Sequence, residues 1–414
     1  METNVFKIYK GLPKGVYAIS LAKMINAMGT FVLPFSAMFL TQNLHMSEKW
    51  IGIFFLILGY VFVPSSLLGG KLVDLIGGKK VFIIAQILSA TCYIPCAFLG
   101  SSIIIPCLLI LSRFFGGIAQ PASGAILVNI TNEKNRKESF ALPYLSANVG
   151  IAIGPMLAGF LYNNYIAVLF LGDAFTTILS VIFIGIYIDE MQSSSDGMQK
   201  SLCENNDEIE EKVGFIKAII KRPQLLMFSI VSIIYSFVYC QRQYIIPIQV
   251  NMLYGFDGPR LFGFIMSINA ITVILATTFI SKITKNLDSV LNVGIAGLFY
   301  AIGFGILYFP VNFYIFIIST IIWTFGEIIS SINTGVYIAN HSPASHVGRF
   351  NAIIPMISGI GAAGGPIIIG IWIGGSRIGT AWFYIFILAI ISSVSMFCLY
   401  FIERNQLVNA KKGS

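Results

Sequence analysis

Uninterrupted apolar runs, each long enough to cross a bilayer, recur along almost the whole chain. A spanning helix needs about 20 such residues. The run IGIFFLILGYVFVPSSLLGG, from Ile51 to Gly70, is one of them. Runs of this length leave few solutions, because backbone groups in lipid must be satisfied within the chain. The runs are continuous rather than alternating in short segments, which excludes a transmembrane β-barrel. Only 11% of the 414 residues are charged, too few to cover a soluble surface of this size. The expected fold is an all-α membrane protein with twelve transmembrane helices. The spans are placed at residues 15–41, 50–70, 80–99, 102–130, 139–162 and 165–188, then 224–249, 260–281, 288–309, 312–340, 347–374 and 378–402.

Basic residues orient these spans. Of 26 Lys and Arg, only Lys49, Arg260 and Arg377 fall in loops on one side, and Lys23, Arg113 and Arg242 fall inside spans. All others fall on the other side, which the positive-inside rule makes cytoplasmic. Both termini are then cytoplasmic. Lys7, Lys10 and Lys14 precede the first run, which is too long for a signal peptide and is read as a retained span. The net charge of +8 sets topology here and does not point to nucleic acid. The six cysteines, Cys92, Cys96, Cys107, Cys203, Cys240 and Cys398, show no metal-site spacing. They are read as small apolar fillers.

One long polar stretch interrupts the pattern near mid-chain. It holds Glu204, Asp207, Glu208, Glu210 and Glu211, then Lys212, Lys217, Lys221 and Arg222. It is read as a cytoplasmic linker, residues 189–223, between a six-helix bundle at 1–188 and another at 224–414. Val213–Ile220 could lie on the membrane surface as a short amphipathic helix. The two halves repeat one another. Gly150, Gly154, Pro155 and Gly159 spell GxxxGPxxxG in span five, and Gly361, Gly365, Pro366 and Gly370 spell it again in span eleven. Arg136 with Phe140, and Arg349 with Phe350, precede the two copies. Recurrence at a half-chain offset marks an internal repeat and two pseudo-symmetric bundles. Small residues every four positions let helices pack closely in lipid, and proline bends a helix. The element is therefore read as a packing pivot.

The turn between spans two and three reads GGKLVDLIGGKK, with Gly70, Asp74, Gly77, Lys79 and Lys80 at regular places. It resembles the signature loop of the major facilitator superfamily. The likeness extends to Arg113 with Gly117 in span four, and to the GxxxGPxxxG element, which is similar to that family's antiporter motif. INAMGTFVLPF in span one and GEII in span ten resemble the twelve-helix drug:proton antiporter branch. The resemblance implies the major facilitator fold, a cytoplasmic gate latched by Asp74, and a part for Arg113 in proton coupling. Leu75 and Gly78 depart from the family pattern, where basic residues are usual. The corresponding loop of the second half, SKITKNLD, is degenerate, and Asn129 stands where related sequences often carry Asp.

Five ionisable residues fall inside spans: Lys23, Arg113, Asp173, Arg242 and Glu327. A charge at the bilayer centre costs from about 2.5 kcal/mol upward, so such residues face a wet cavity or a partner. Lys23 lies close enough to the cytoplasmic surface to snorkel. Glu327 lies near the middle of span ten, beyond that reach. Glu327, Arg113 and Asp173 are the expected proton-coupling residues. Asn26, Asn148, Tyr239, Gln241, Arg242, Asn269, Trp323, Glu327 and Asn333 are the expected lining of a substrate cavity. Tyr235 and Phe325 lie near it. Aromatic walls would suit lipophilic cations, while Arg242 would suit an anionic group.

The sequence lacks a phosphate-binding GxxxxGK[ST] loop. Its three histidines, His45, His341 and His346, form no metal motif. No enzyme activity, cofactor or metal is expected. The expected partners are a small-molecule substrate, protons and the lipid bilayer, with a monomer sufficient and the bacterial cell membrane as location. The leading expectation is proton-coupled export of hydrophobic or amphipathic small molecules by alternating access. Uptake, flipping of a lipid-linked substrate, and a non-transporting membrane sensor remain alternatives.

Overall fold

A computed structural model describes residues 9–131, 135–188, 222–309, 312–341, 347–373 and 378–412. Most of the inferred linker, together with Lys7, Cys203, His346 and Arg377, lies outside these residues, as do the side chains of Arg136, Arg349 and Phe350. The described residues form thirteen α-helices and no strand. Before the linker these are α1 (Lys14–Met28), α2 (Val32–Gln42), α3 (Glu48–Ile76), α4 (Gly78–Cys96), α5 (Ile104–Asn129), α6 (Arg136–Leu161) and α7 (Ile166–Tyr187). After it come α8 (Pro223–Tyr254), α9 (Gly258–Thr284), α10 (Ser289–Gly305), α11 (Phe313–His341), α12 (Val347–Ile373) and α13 (Ile378–Lys412).

Among the described residues, ten helical stretches are long and apolar enough to cross a membrane. One of them, Pro223–Thr284, runs 62 residues and contains both α8 and α9, and a shorter apolar helix covers Met356–Trp372. The twelve expected spans map onto these helices, with two differences. First, α13 continues to Lys412, ten residues past the expected end, because its polar tail FIERNQLVNAKK still favours helix. Second, span one is broken. The Gly29 N–H turns back to Ile25 O and Asn26 O, both at 3.1 Å, and α2 starts afresh at Val32. Pro34 lacks the N–H that would bond Thr30 O and carry the helix through. A side chain on Gly29 would overlap Thr176, so this glycine lets α7 come close to the break.

In each half, the repeated glycine element divides its work in the same way. Gly150 and Gly154 press on α1, where a Cβ on Gly154 would stand 2.6 Å from Met28 O. Gly361 and Gly365 press on α8 in the same manner, Gly365 against Cys240 and Gln241. The last glycine of each copy crosses to the other half. A Cβ on Gly159 would meet Pro259 O at 2.6 Å, and one on Gly370 would meet Glu48 O at 2.5 Å. Two further glycines complete this seam. Gly52 of α3 lies on Pro366 and Ile367 of α12, and Gly263 of α9 lies on Pro155 and Met156 of α6. The offset that relates Gly159 to Gly370 also relates Gly52 to Gly263, Pro155 to Pro366 and Glu48 to Pro259.

Among the described residues the seam is one-sided. Its described hydrogen bonds and ring contacts lie at the end away from the basic loops. Gln42 Nε2 donates to Asn251 Oδ1 at 2.5 Å, the Tyr244 hydroxyl donates to Glu48 O at 2.8 Å, and Asn163 donates to Phe256 O. Phe35 meets Phe262 edge-on, Phe55 meets Tyr244, and Arg260 lies over Phe160. A side chain at Gly52 has no space there, because its Cβ would stand 2.6 Å from Ile367 Cα and 2.7 Å from Pro366 O. Gly52→Val is therefore expected to penalise this closed seam by about 1–3 kcal/mol, the usual cost of overpacking. At about 2 kcal/mol that is roughly a thirtyfold shift in population. Spin labels at Tyr165→Cys and Phe309→Cys, in a cysteine-free background, would report a longer distance. An unchanged distance distribution would refute this account of the seam.

Candidate functional site

Two polar clusters lie inside the apolar helices, one in each half. In the first half, a cavity of about 220 Å³ is enclosed by α1, α2, α3, α4, α5 and α7. Three expected residues line it: Asn26, Arg113 and Asp173. The break in span one creates its shape. Asp173 is 6% exposed, and its Oδ2 accepts the Val32 N–H at 3.2 Å, so a carboxylate on α7 caps the first turn of α2. Asn26, on the other side of the break, donates to Thr177 Oγ1 at 3.0 Å. The Arg113 guanidinium lies 4.1 Å from the centre of the Phe62 ring. Among the described residues, no ion pair joins it to Asp173. Besides Ser36, Ser89 and Ser112, the polar lining includes Gln86, Tyr93, Thr30 and Thr177. These four escape a reading by residue charge, because only the geometry of the break gathers them.

In the second half, Glu327 sits on α11 beside α9. Its Oε2 accepts from Asn269 Nδ2 at 2.8 Å, and the same amide donates to Thr324 Oγ1 at 3.0 Å. Arg242 of α8 stands 4.5 Å from the centre of the Tyr239 ring and 6.0 Å from that of Trp323, within cation–π range. Tyr239 also contacts Tyr300 and Trp323, and Trp323 stacks on Phe304. The aromatic wall is therefore continuous from α8 through α10 to α11. Glu327, Asn269, Tyr239, Arg242 and Trp323 are brought together as one cluster. Trp323 is fully buried, with Nε1 lacking a partner among the described residues.

Other expected residues stand apart. Gln241 is fully buried, with Nε2 on Phe237 O at 2.9 Å, and fills the contact with Gly365. Asn333 accepts from Asn292 at 2.8 Å and donates to Ile329 O, which ties α11 to α10. Asn148 bonds its own helix at Tyr144 O. Lys23 is half-buried on α1, outside the cavity lining. Cys92, Cys96, Cys107, Cys240 and Cys398 are free thiols.

The loop between α3 and α4 is a tight turn. Gly77 adopts φ +87°, a left-handed conformation that suits glycine, and its N–H bonds Val73 O at 2.9 Å. Lys79 Nζ donates to Gly185 O at 3.0 Å and so binds the turn to α7. Gly70 borders open space, and Lys80 is exposed. Asp74 is exposed and has no hydrogen bond or ion pair to a described residue. Among the described residues it makes no such bond to the other half.

The sequence matches the family Major Facilitator Superfamily over residues 19–366 and again over 231–413. It is 23% identical over 385 residues to the Na(+), Li(+), K(+)/H(+) antiporter of Planococcus maritimus, covering 87% of each chain. It is also 23% identical over 403 residues to the uncharacterized MFS-type transporter YqjV of Bacillus subtilis (strain 168), covering 96% of this chain and 94% of that one. Among solved structures, the nucleoside transporter NupG matches with a TM-score of 0.76 at 14% identity, over 93% of this chain and 99% of that one. The peptide transporter POT in complex with sulfate matches with a TM-score of 0.75 at 15% identity, over 94% and 95%. These structural likenesses are likenesses of fold.

Proposed function

This chain belongs to the Major Facilitator Superfamily and is an integral membrane transporter, and from that premise we propose that it works as a proton-coupled antiporter. In this reading it exports hydrophobic or amphipathic small molecules. Its two six-helix bundles, residues 1–188 and 224–414, rock about a midplane site, joined by the linker at 189–223. The resemblance of INAMGTFVLPF and GEII to the drug:proton antiporter branch supports this mode. The relative named as a cation/H(+) antiporter supports exchange against protons.

The one-sided seam carries the reading. Alternating access needs a barrier at one end that can part while the halves stay folded, and the Gly52, Gly159, Gly263 and Gly370 contacts are of that kind. With both termini cytoplasmic, as the basic loops favour, the seam is the outer gate. Asp74, which has no hydrogen bond or ion pair to a described residue, then belongs to an open cytoplasmic gate, formed with Gly70, Gly77, Lys79 and Lys80. Asp173 and Glu327 supply carboxyls that can exchange protons from inside the bundles, and Arg113 lines the same cavity as Asp173. The aromatic wall beside Arg242 and Glu327 supplies the substrate surface.

Proteoliposomes holding a pH-sensitive dye test this function. Addition of a lipophilic cation such as tetraphenylphosphonium is expected to drive proton release. Saturable binding without flux would instead favour a sensor, and accumulation with proton influx would favour uptake.

A further inference from the structure

We propose that the cavity in the first half is a binding site for a monovalent metal cation, held by oxygens of Asp173, Asn26, Thr30 and Thr177. The inference rests on the transport reading above and assigns this cavity a ligand of its own. Its basis is which polar atoms are already committed and which are left over.

Asn26 spends its Nδ2 on Thr177 Oγ1 at 3.0 Å, so the amide is oriented and its carbonyl oxygen remains available. Thr30 donates its only hydroxyl proton to Asn26 O at 3.1 Å, which leaves that oxygen as an acceptor. The Asp173 carboxylate accepts the Val32 N–H at 3.2 Å, and a carboxylate offers about four acceptor positions. The site thus presents oxygen lone pairs, the donor set that hard cations take. The cavity volume of about 220 Å³ holds an ion with several waters, at about 30 Å³ per water.

Charge selects the valence. Asp173 is a 6% exposed acid, and a buried charge needs an opposite partner. The protein's own cations do not supply one. Arg113 lies over Phe62 and forms no ion pair with Asp173 among the described residues, and Lys23 is not in the lining. One positive charge neutralises Asp173. A second would leave an excess beside Arg113. Occupancy also bears on the outer seam, because the carboxylate that would hold the ion caps α2, and α2 carries Phe35 and Gln42 to Phe262 and Asn251.

The test uses the full-length protein in detergent at fixed pH and ionic strength, with NaCl, LiCl or KCl replacing choline chloride. We expect at least one of the three to raise the unfolding temperature saturably. Asp173→Asn should abolish the rise, and Thr177→Val should weaken the apparent affinity about tenfold, the effect of about 1.4 kcal/mol. No alkali-specific rise in the wild type would overturn the site, as would a wild-type response in Asp173→Asn. If Asp173→Asn does not fold, Thr177→Val and Asn26→Ala carry the test, and unchanged affinity in both overturns it. Proton-driven flux without alkali binding would refute this site alone. Alkali binding in a protein that moves no substrate would refute the transport reading and leave the site standing.

Discussion

Glu327→Gln should reduce the response of transport to a pH gradient by about tenfold or more, the factor that 1.4 kcal/mol represents, while leaving the fold intact. Asn269 is doubly committed, to Glu327 Oε2 at 2.8 Å and to Thr324 Oγ1 at 3.0 Å. Glutamine has the same length and can turn its amide oxygen to Asn269, so the hydrogen bond survives. What it cannot do is gain and lose a proton. The loss should therefore fall on coupling, with substrate binding changed only through the missing charge near Arg242. Asn269→Ala supplies the contrast. It removes the positioning bond but leaves the carboxyl, so it should weaken coupling without abolishing it. Wild-type gradient dependence in Glu327→Gln, measured in proteoliposomes with an imposed pH step, would remove Glu327 from the coupling mechanism.

The second large effect concerns the seam. A cysteine pair at Gln42→Cys and Asn251→Cys, bridged by a cleavable bifunctional thiol reagent in a cysteine-free background, should stop turnover almost completely. Those two side chains touch at 2.5 Å across the halves, at the tips of α2 and α8. Bridging them holds the seam shut, so no state open to that end can form. Cleaving the bridge should restore flux, and each single cysteine should transport. Normal turnover in the bridged protein would show that this end need not part, which would contradict rocking of the two bundles.

Much of the fold was legible in the residues. Run length gave the spans, because lipid makes a continuous apolar helix nearly obligatory. The two GxxxGPxxxG copies pointed to a packing element, and both lie in tight helix contacts. Gly52 and Gly263 went unread, since an isolated glycine in an apolar run has no distinctive neighbours. Their offset, equal to that between the motif copies, was the available signal. The break in span one likewise has no signature in the residues. Gly29 and Thr30 hardly alter the hydropathy of the run, and Asp173, which caps the restart, is 141 residues away from Val32.

The candidate sites were legible by residue type only in part. Charge is expensive in a membrane wherever it occurs, so Arg113, Asp173, Arg242 and Glu327 stood out. Asparagine and glutamine carry no such signal. Asn26 and Asn269 line or support the clusters, while Asn333 bonds Asn292 and Gln241 fills a helix contact. Nothing in the residue itself separates these uses, because each satisfies the same hydrogen-bonding need with whichever neighbour the packing supplies.

The paired glycine seam is symmetric in its own right. Gly52 lies on Pro366 as Gly263 lies on Pro155, and Gly370 lies on Glu48 as Gly159 lies on Pro259. Each contact is answered by its counterpart with the partners exchanged. That is the signature of an isologous interface between two copies of one protomer. The seam therefore keeps a pseudo-twofold symmetry that the polar interiors of the two halves do not share, since Arg113 and Asp173 line a cavity in one and Glu327, Asn269 and Arg242 cluster in the other.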